Sequence, residues 1–218
     1  MKKVSMYVDG FNFYYGIKKH LFPKGLIGLG WCDFRKLAER YLQPDEKLDK
    51  IRYFTAPVTY HLAHSGEQRK QALWLDAVRT IEGLTVVEGF YTGTTRYDRK
   101  EKMTDVNIAV EMIFDAHGPN APDKAIIVSS DLDMFPVAEA IKTRIEKVSV
   151  EFLLHPGGRE YTHLKMRCCE ADIPCREITK DKLFYSMLPE RIEHNGRTID
   201  IDPEWIVSKS IARSYGWV

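Results

Sequence analysis

Asp9 directly follows the apolar run "VSMYV", in "SMYVDGFNFYYG", and Asn12 stands three residues on. Asp131 closes a second apolar run, "KAIIVSS", and Asp133 follows two residues later. Asp105 sits beside Thr104 at the start of "TDVNIAVEM". Carboxylates without His or Cys at ligand spacing offer hard oxygen donors, which suit Mg²⁺ or Mn²⁺. Such an ion activates water and stabilises charge building on a phosphoryl oxygen. Each acid also has a plainer use. Asp9 and Asp131 suit helix N-caps, and Asp105 suits a helix dipole behind a Thr104 cap. Taken singly, the plainer use is the default. Three or four acids gathered at one place would repel one another unless a cation offset the charge.

The surrounding elements decide whether they gather. Apolar runs at 4–8, 51–58, 84–91, 124–130 and 148–154 read as strands, and Pro57 ends the second. Helical periodicity covers 34–42 with Asp33 as cap, 67–81 with Gly83 as stop, and 104–116. It returns at 134–145, where Pro136 falls near the first turn, and at 159–169. Alternating strands and helices predict right-handed crossovers and a mostly parallel sheet of about five strands, with helices on both faces. Asp9 and Asp131 then end two strands at the carboxyl edge, where open α/β sheets bind ligands. Asp105 begins the helix before the fourth strand and belongs to the same edge. The rhythm changes near residue 178. This divides the chain into a domain over 1–178 and a C-terminal extension over 179–218, placed on the core or on a partner.

The 218 residues carry 32 Lys and Arg against 31 Asp and Glu, so any polyanion site must be a local patch. No apolar run spans a bilayer, and the start "MKKVSMYVDGF" is too short for a signal peptide, so a cytoplasmic protein is expected. Cys32, Cys168, Cys169 and Cys175 lack zinc spacing and read as reduced thiols. "GLIGLG" has the wrong glycine order for a dinucleotide fingerprint, and no Walker A motif occurs.

Three motifs in order, "YVDGFNFYYG", "KMTDVNIAVEM" and "IIVSSDLDMFPVAEAIK", resemble the NYN domain, of the LabA-like (DUF88) branch of the PIN-like nucleases. The resemblance covers residue 1 to about 170. It implies a PIN-like, three-layer Rossmannoid fold and a ribonuclease dependent on Mg²⁺ or Mn²⁺, with RNA as partner. By motif match, Asp9, Asp105 and Asp131 would hold the metal, and Asp133 would hold a second ion or a metal-bound water. Asn12, Lys102 and Ser129 would contact substrate. Ser130 stands where the family more often has a small residue or glycine. Asn12 also suits an Asx-turn, and Lys102 a solvated charge run.

Phe11, Phe13, Tyr14 and Tyr15 suit core packing of the first helix or stacking on bases, with core as the default. The basic stretches 18–25 and 96–102 suit a phosphate backbone or plain solvated surface, and "HPGGRE" (155–160) a phosphate approach or a plain turn. The seven histidines receive no role. Two other functions compete: a haloacid-dehalogenase-type phosphatase, because "DLDMF" mimics its D-x-D motif, and a non-catalytic RNA-binding module. The first leaves Asp9 and Asp105 unexplained. A homo-oligomer formed through the extension is a further expectation.

Overall fold

A computed structural model describes residues 1–58, 66–95, 97–156 and 162–218. Six parallel strands form the central sheet: β1 (Lys2–Asp9), β2 (Glu46–Thr55), β3 (Leu84–Glu88), β6 (Lys124–Val128), β7 (Ser149–Leu154) and β8 (Cys175–Glu177). Their order is β3-β2-β1-β6-β7-β8, and every pairing is parallel. The expected five strands are thus six. The added strand, "CRE", has no apolar period and lies at the sheet edge. β2 begins five residues earlier than its apolar run, in the polar stretch "EKLDK". The run 84–91 divides at Gly89 into β3 and β4 (Phe90–Thr92), and β4 pairs with β5 (Lys100–Lys102) as a hairpin.

Alternation along β1 sorts the two faces. Val4, Met6 and Val8 join one apolar cluster with α1 (Gly10–His20), α2 (Phe34–Glu39) and α3 (Glu67–Val78). Tyr7 joins the other, with α4 (Thr104–His117), α5 (Phe135–Arg144) and α6 (Thr162–Glu170). The result is three layers, because a sheet buried on both faces must be apolar on both. One polar knot interrupts the second face. Asp115 on α4 accepts hydrogen bonds from Tyr7 Oη (2.8 Å), Lys50 Nζ (2.7 Å) and Arg52 Nε (3.0 Å). Burial opposes its charge, but these donors hold its carboxyl below the usual range.

The segment after residue 178 folds onto the first face. It comprises α7 (Lys180–Phe184), the hairpin of β9 (Arg191–His194) and β10 (Arg197–Asp200), and α8 (Lys209–Ser214). Leu183, Leu188, Ile192, Ile201 and Trp217 are buried in the same cluster as β1 and α2. Trp205 packs its ring against Trp31 at a centroid distance of 5.6 Å. Among the described residues no helix is long and apolar enough to cross a membrane. All four cysteines are free.

Candidate active site

Strand order reverses between β1 and β6, which are neighbours in the middle of the sheet. Register pairs Val8 with Val128, so Asp9 and Ser129 emerge side by side at the carboxyl edge. Asp9 caps α1 and accepts the Asn12 backbone N–H at Oδ1 (3.0 Å). Its other oxygen accepts the Ser129 hydroxyl (3.1 Å), whose oxygen in turn accepts the Asp131 N–H (3.1 Å). Asn12 Oδ1 accepts the Ser130 N–H (2.8 Å) and so ties α1 to the end of β6. Gly10 is required here. A Cβ would lie 2.6 Å from the Phe54 carbonyl oxygen and 2.5 Å from the Tyr53 ring.

Asp131 is itself a cap. It accepts the Asp133 N–H (3.0 Å) at the start of a 3₁₀ turn over Leu132–Met134 that leads into α5. The third acid arrives differently from expectation. Thr104 is not the cap of α4; Met103 occupies that position with φ 77°, and its own side chain makes no capping hydrogen bond. Thr104 is buried in the first turn, and its N–H and hydroxyl both donate to Glu101. Glu101 and Asp105 are thereby fixed on either side of one bend.

Asp9, Glu101, Asp105 and Asp131 line one pocket of about 430 Å³. Lys19, His20 and His155 line it too. Asp9 is only 4% exposed. Burial, with the facing charges of Asp105 and Asp131, pushes its carboxyl up to about 7 against the hydrogen bonds from Asn12 and Ser129. Asp105 is raised as well, by burial first, then by Asp131, Glu101 and Asp133. The carboxylates therefore feel one another, and a cation would relieve that repulsion. Among the described residues no three His, Cys, Asp or Glu side chains close into a ready-made metal cage. An open set of oxygen donors still fits Mg²⁺ or Mn²⁺. Mg²⁺ in particular is commonly bound by one or two carboxylates and keeps several waters.

The remaining expected residues fall into place unevenly. Asn12 lines the pocket. Ser129 is 1% exposed and lies beneath Asp9 and Asp131, where it positions them rather than facing the pocket. Asp133 and Lys102 are exposed and do not line the pocket, although Asp133 acts on Asp105 through its charge. Lys19 falls in the basic stretch 18–25 weighed for a phosphate backbone, whereas Glu101, His20 and His155 carry no site role of their own in the sequence reading. Lys19 and His20 continue a helical face with Asn12, Tyr15 and Gly16, so the spacing of 3 and 4 along α1 already carried that signal. The His155 ring stacks with His20 at 6.0 Å and rests where a Cβ on Gly16 would stand, 2.3 Å away. In "HPGGRE", positions 157–160 lie outside the described residues, as do Arg96 and the first three residues of the predicted 159–169 helix.

The α/β fold, with its acids at the switch point, is that of a PIN-like protein. A family comparison matches the NYN domain over residues 3–168, and the chain belongs to that nuclease-like family. Among curated proteins it is 23% identical over 184 residues to the 6-hydroxy-3-succinoylpyridine 3-monooxygenase HspA of Pseudomonas putida strain S16. That match covers 66% of this chain and 57% of the relative, so the chain spans little more than half of that protein's length. Among solved structures it is similar in fold to a protein of unknown function, VPA0982, from Vibrio parahaemolyticus RIMD 2210633. The TM-score is 0.56 at 19% identity, covering 82% of this chain and 93% of that one.

Proposed function

We propose that this chain is a ribonuclease that hydrolyses RNA phosphodiester bonds with Mg²⁺ or Mn²⁺ held by Asp9, Asp105 and Asp131, directly or through the ion's waters. The observation that carries this reading is the shared pocket of mutually repelling carboxylates at the switch point. Membership of a nuclease-like family supports it. A divalent cation, when bound, supplies Lewis-acid activation of water and a counter-charge for the phosphoryl oxygens. The protein's own contribution is placement. Ser129 and the Asn12 backbone fix both Asp9 oxygens, so that carboxylate pays no ordering cost on binding. Ser129 also fixes the backbone of Asp131. Asn12 keeps its amide N–H₂ group for a phosphate or a water while its oxygen secures β6. Lys19 lines the pocket as a cation for the phosphate. Glu101 adds a fourth acid beside Asp105. In hydrolysis a water oxygen bonds to phosphorus, the bond to the departing ribose oxygen breaks, and that oxygen gains a proton.

A second reading, oxidation of a small aromatic ring, is favoured by the likeness to HspA and by an aromatic cavity beside the acids. One panel separates the readings. Purified protein is incubated with single-stranded RNA, single-stranded DNA, a phosphomonoester and a hydroxypyridine, each with Mn²⁺ or with chelator, and the hydroxypyridine also in air with a two-electron reductant, because a monooxygenation consumes O₂ and two electrons. Cleavage of RNA in the Mn²⁺ arm alone is the expected result. Turnover of only the phosphomonoester or only the hydroxypyridine would replace the nuclease reading. RNA binding without cleavage would leave a non-catalytic module.

A further inference from the structure

On the other side of Phe11 and Tyr15 lies a second cavity, of about 480 Å³, which shares those two residues with the acidic pocket. Its volume falls within the roughly 300–1,000 Å³ common to small-molecule sites. Its walls are unusually rich in rings. Tyr14, Tyr53, Trp74, Tyr91 and Trp205 line it together with Phe11 and Tyr15. Sequence reasoning assigned most α1 aromatics to the core, yet only Phe13 is buried there; Tyr14 and Tyr15 are exposed. The rings are arranged as a wall. Phe11 and Tyr15 stack one helical turn apart at 6.3 Å, and Tyr91 meets the edge of Phe11 at 5.9 Å. Arg99 lies 5.2 Å over Tyr91 and forms a two-pronged ion pair with Glu67. Lys18, also in the lining, sits 5.9 Å over the Tyr14 ring and makes no ion pair with a described residue.

We infer that this cavity receives a nucleobase of the RNA whose backbone enters the acidic pocket, with Tyr91 and Tyr15 as stacking platforms. The inference rests on the nuclease reading for its choice of a nucleobase as the planar ring. Three observations lead to it. Exposed or half-exposed rings on a concave wall keep apolar surface open that a flat partner would cover. Base–aromatic stacking is sequence-tolerant and strong enough to hold a splayed nucleotide. The two cavities meet at Phe11 and Tyr15, so a phosphate at the acids leaves its neighbouring base at the aromatic wall. Arg99 is paired with Glu67 and Lys70 with Glu204, so Lys18 is the lining cation that makes no ion pair with a described residue and can meet a phosphate.

The test uses nucleosides, which carry no phosphate to be repelled by the acids. Adenosine, cytidine and uridine, with ribose and a free hydroxypyridine as controls, are titrated into isotope-labelled protein and followed by NMR. The indole N–H of Trp74, which donates to Tyr53 Oη at 2.9 Å, is the reporter within the cavity. That of Trp217, bonded to Asp181 outside it, is the internal control. At least one nucleoside should shift Trp74 but not Trp217 and bind at least tenfold more tightly than ribose. Tyr91→Ala should weaken that binding about tenfold or more, and Tyr91→Phe should keep it. Asp9→Asn should bind the nucleoside as wild type does. The inference is overturned if no nucleoside exceeds ribose, if Tyr91→Ala changes nothing in a folded variant, or if the hydroxypyridine binds more tightly than every nucleoside. RNA left uncut by a protein that still passes this test would remove the nuclease reading and leave the base pocket standing.

Discussion

At the scale of single residues, Asp9 does two jobs that sequence reasoning had set against each other. It caps α1 with one oxygen and faces the acidic pocket from the same buried carboxyl. The cost is electrostatic, and its sign gives a prediction. The carboxyl is raised to about 7 in the folded, metal-free chain, so folding favours its protonated form. Stability from this group is full below the ordinary carboxylate value and is lost as pH rises through about 7. Asp115 works in the opposite sense, because its carboxyl is lowered, so its contribution fades only at acid pH. Between about pH 4.5 and 8 the raised Asp9 and Asp105 act in the same direction, and on the order of 4 kcal/mol is the upper bound for Asp9. Denaturant unfolding in chelator should show falling stability across that window. Asp9→Asn should flatten the fall and leave the variant more stable than wild type at pH 8. A second residue-scale expectation concerns Ser129, whose hydroxyl is shared between Asp9 and the Asp131 backbone. Ser129→Ala should keep the fold and lower cleavage by roughly 10–100-fold, the usual cost of losing a group that orients ligands.

At the scale of elements, the junctions were harder to foresee than the strands. The runs ending at Asp9 and at Ser130 placed two acids at one edge, because a parallel sheet brings strand ends together whatever their separation in sequence. The start of α4 supplied Asp105, but Met103 rather than Thr104 became the cap, since Thr104 turned inward to Glu101. Nothing in the charge run "YDRKEK" separates Glu101, which lines the pocket, from Lys102, which does not. Only the hairpin of β4 and β5 tells them apart, and a three-residue polar strand carries no period to reveal it. His155 was equally hidden, because its role depends on the bare surface of Gly16 from another element. The β1–α1 junction makes a prediction of its own. A methyl on Gly10 would press on the backbone of β2, which cannot rotate away as a side chain does. Gly10→Ala should destabilise the fold by about 1–3 kcal/mol, measured by chemical denaturation, and should lower activity by displacing Asp9.

At the scale of the whole molecule, the segment after residue 178 completes the core on the α1–α2 face. Leu183, Leu188, Ile192, Ile201 and Trp217 are all buried there. Burying each large apolar side chain contributes about 1.5–3 kcal/mol, and five of them approach the whole net stability of a typical domain, roughly 5–15 kcal/mol. A chain ending at residue 178 should therefore lose cooperative thermal unfolding or become insoluble. A soluble truncation with an unchanged melting temperature would show that the face is closed without it. The same segment delivers Trp205 to the aromatic cavity, so its loss should also abolish the Trp74 response to nucleosides.

The central claim is that the gathered carboxylates, with a divalent cation, cut RNA. Its most direct test is a time course on end-labelled single-stranded RNA with wild type, Asp9→Asn and Asp131→Asn, in Mn²⁺ and in chelator. The account predicts cleavage by wild type in Mn²⁺ only, and a loss of at least a hundredfold in both variants while their folds persist. Cleavage by either variant at the wild-type rate, or cleavage undiminished by chelator, would contradict it.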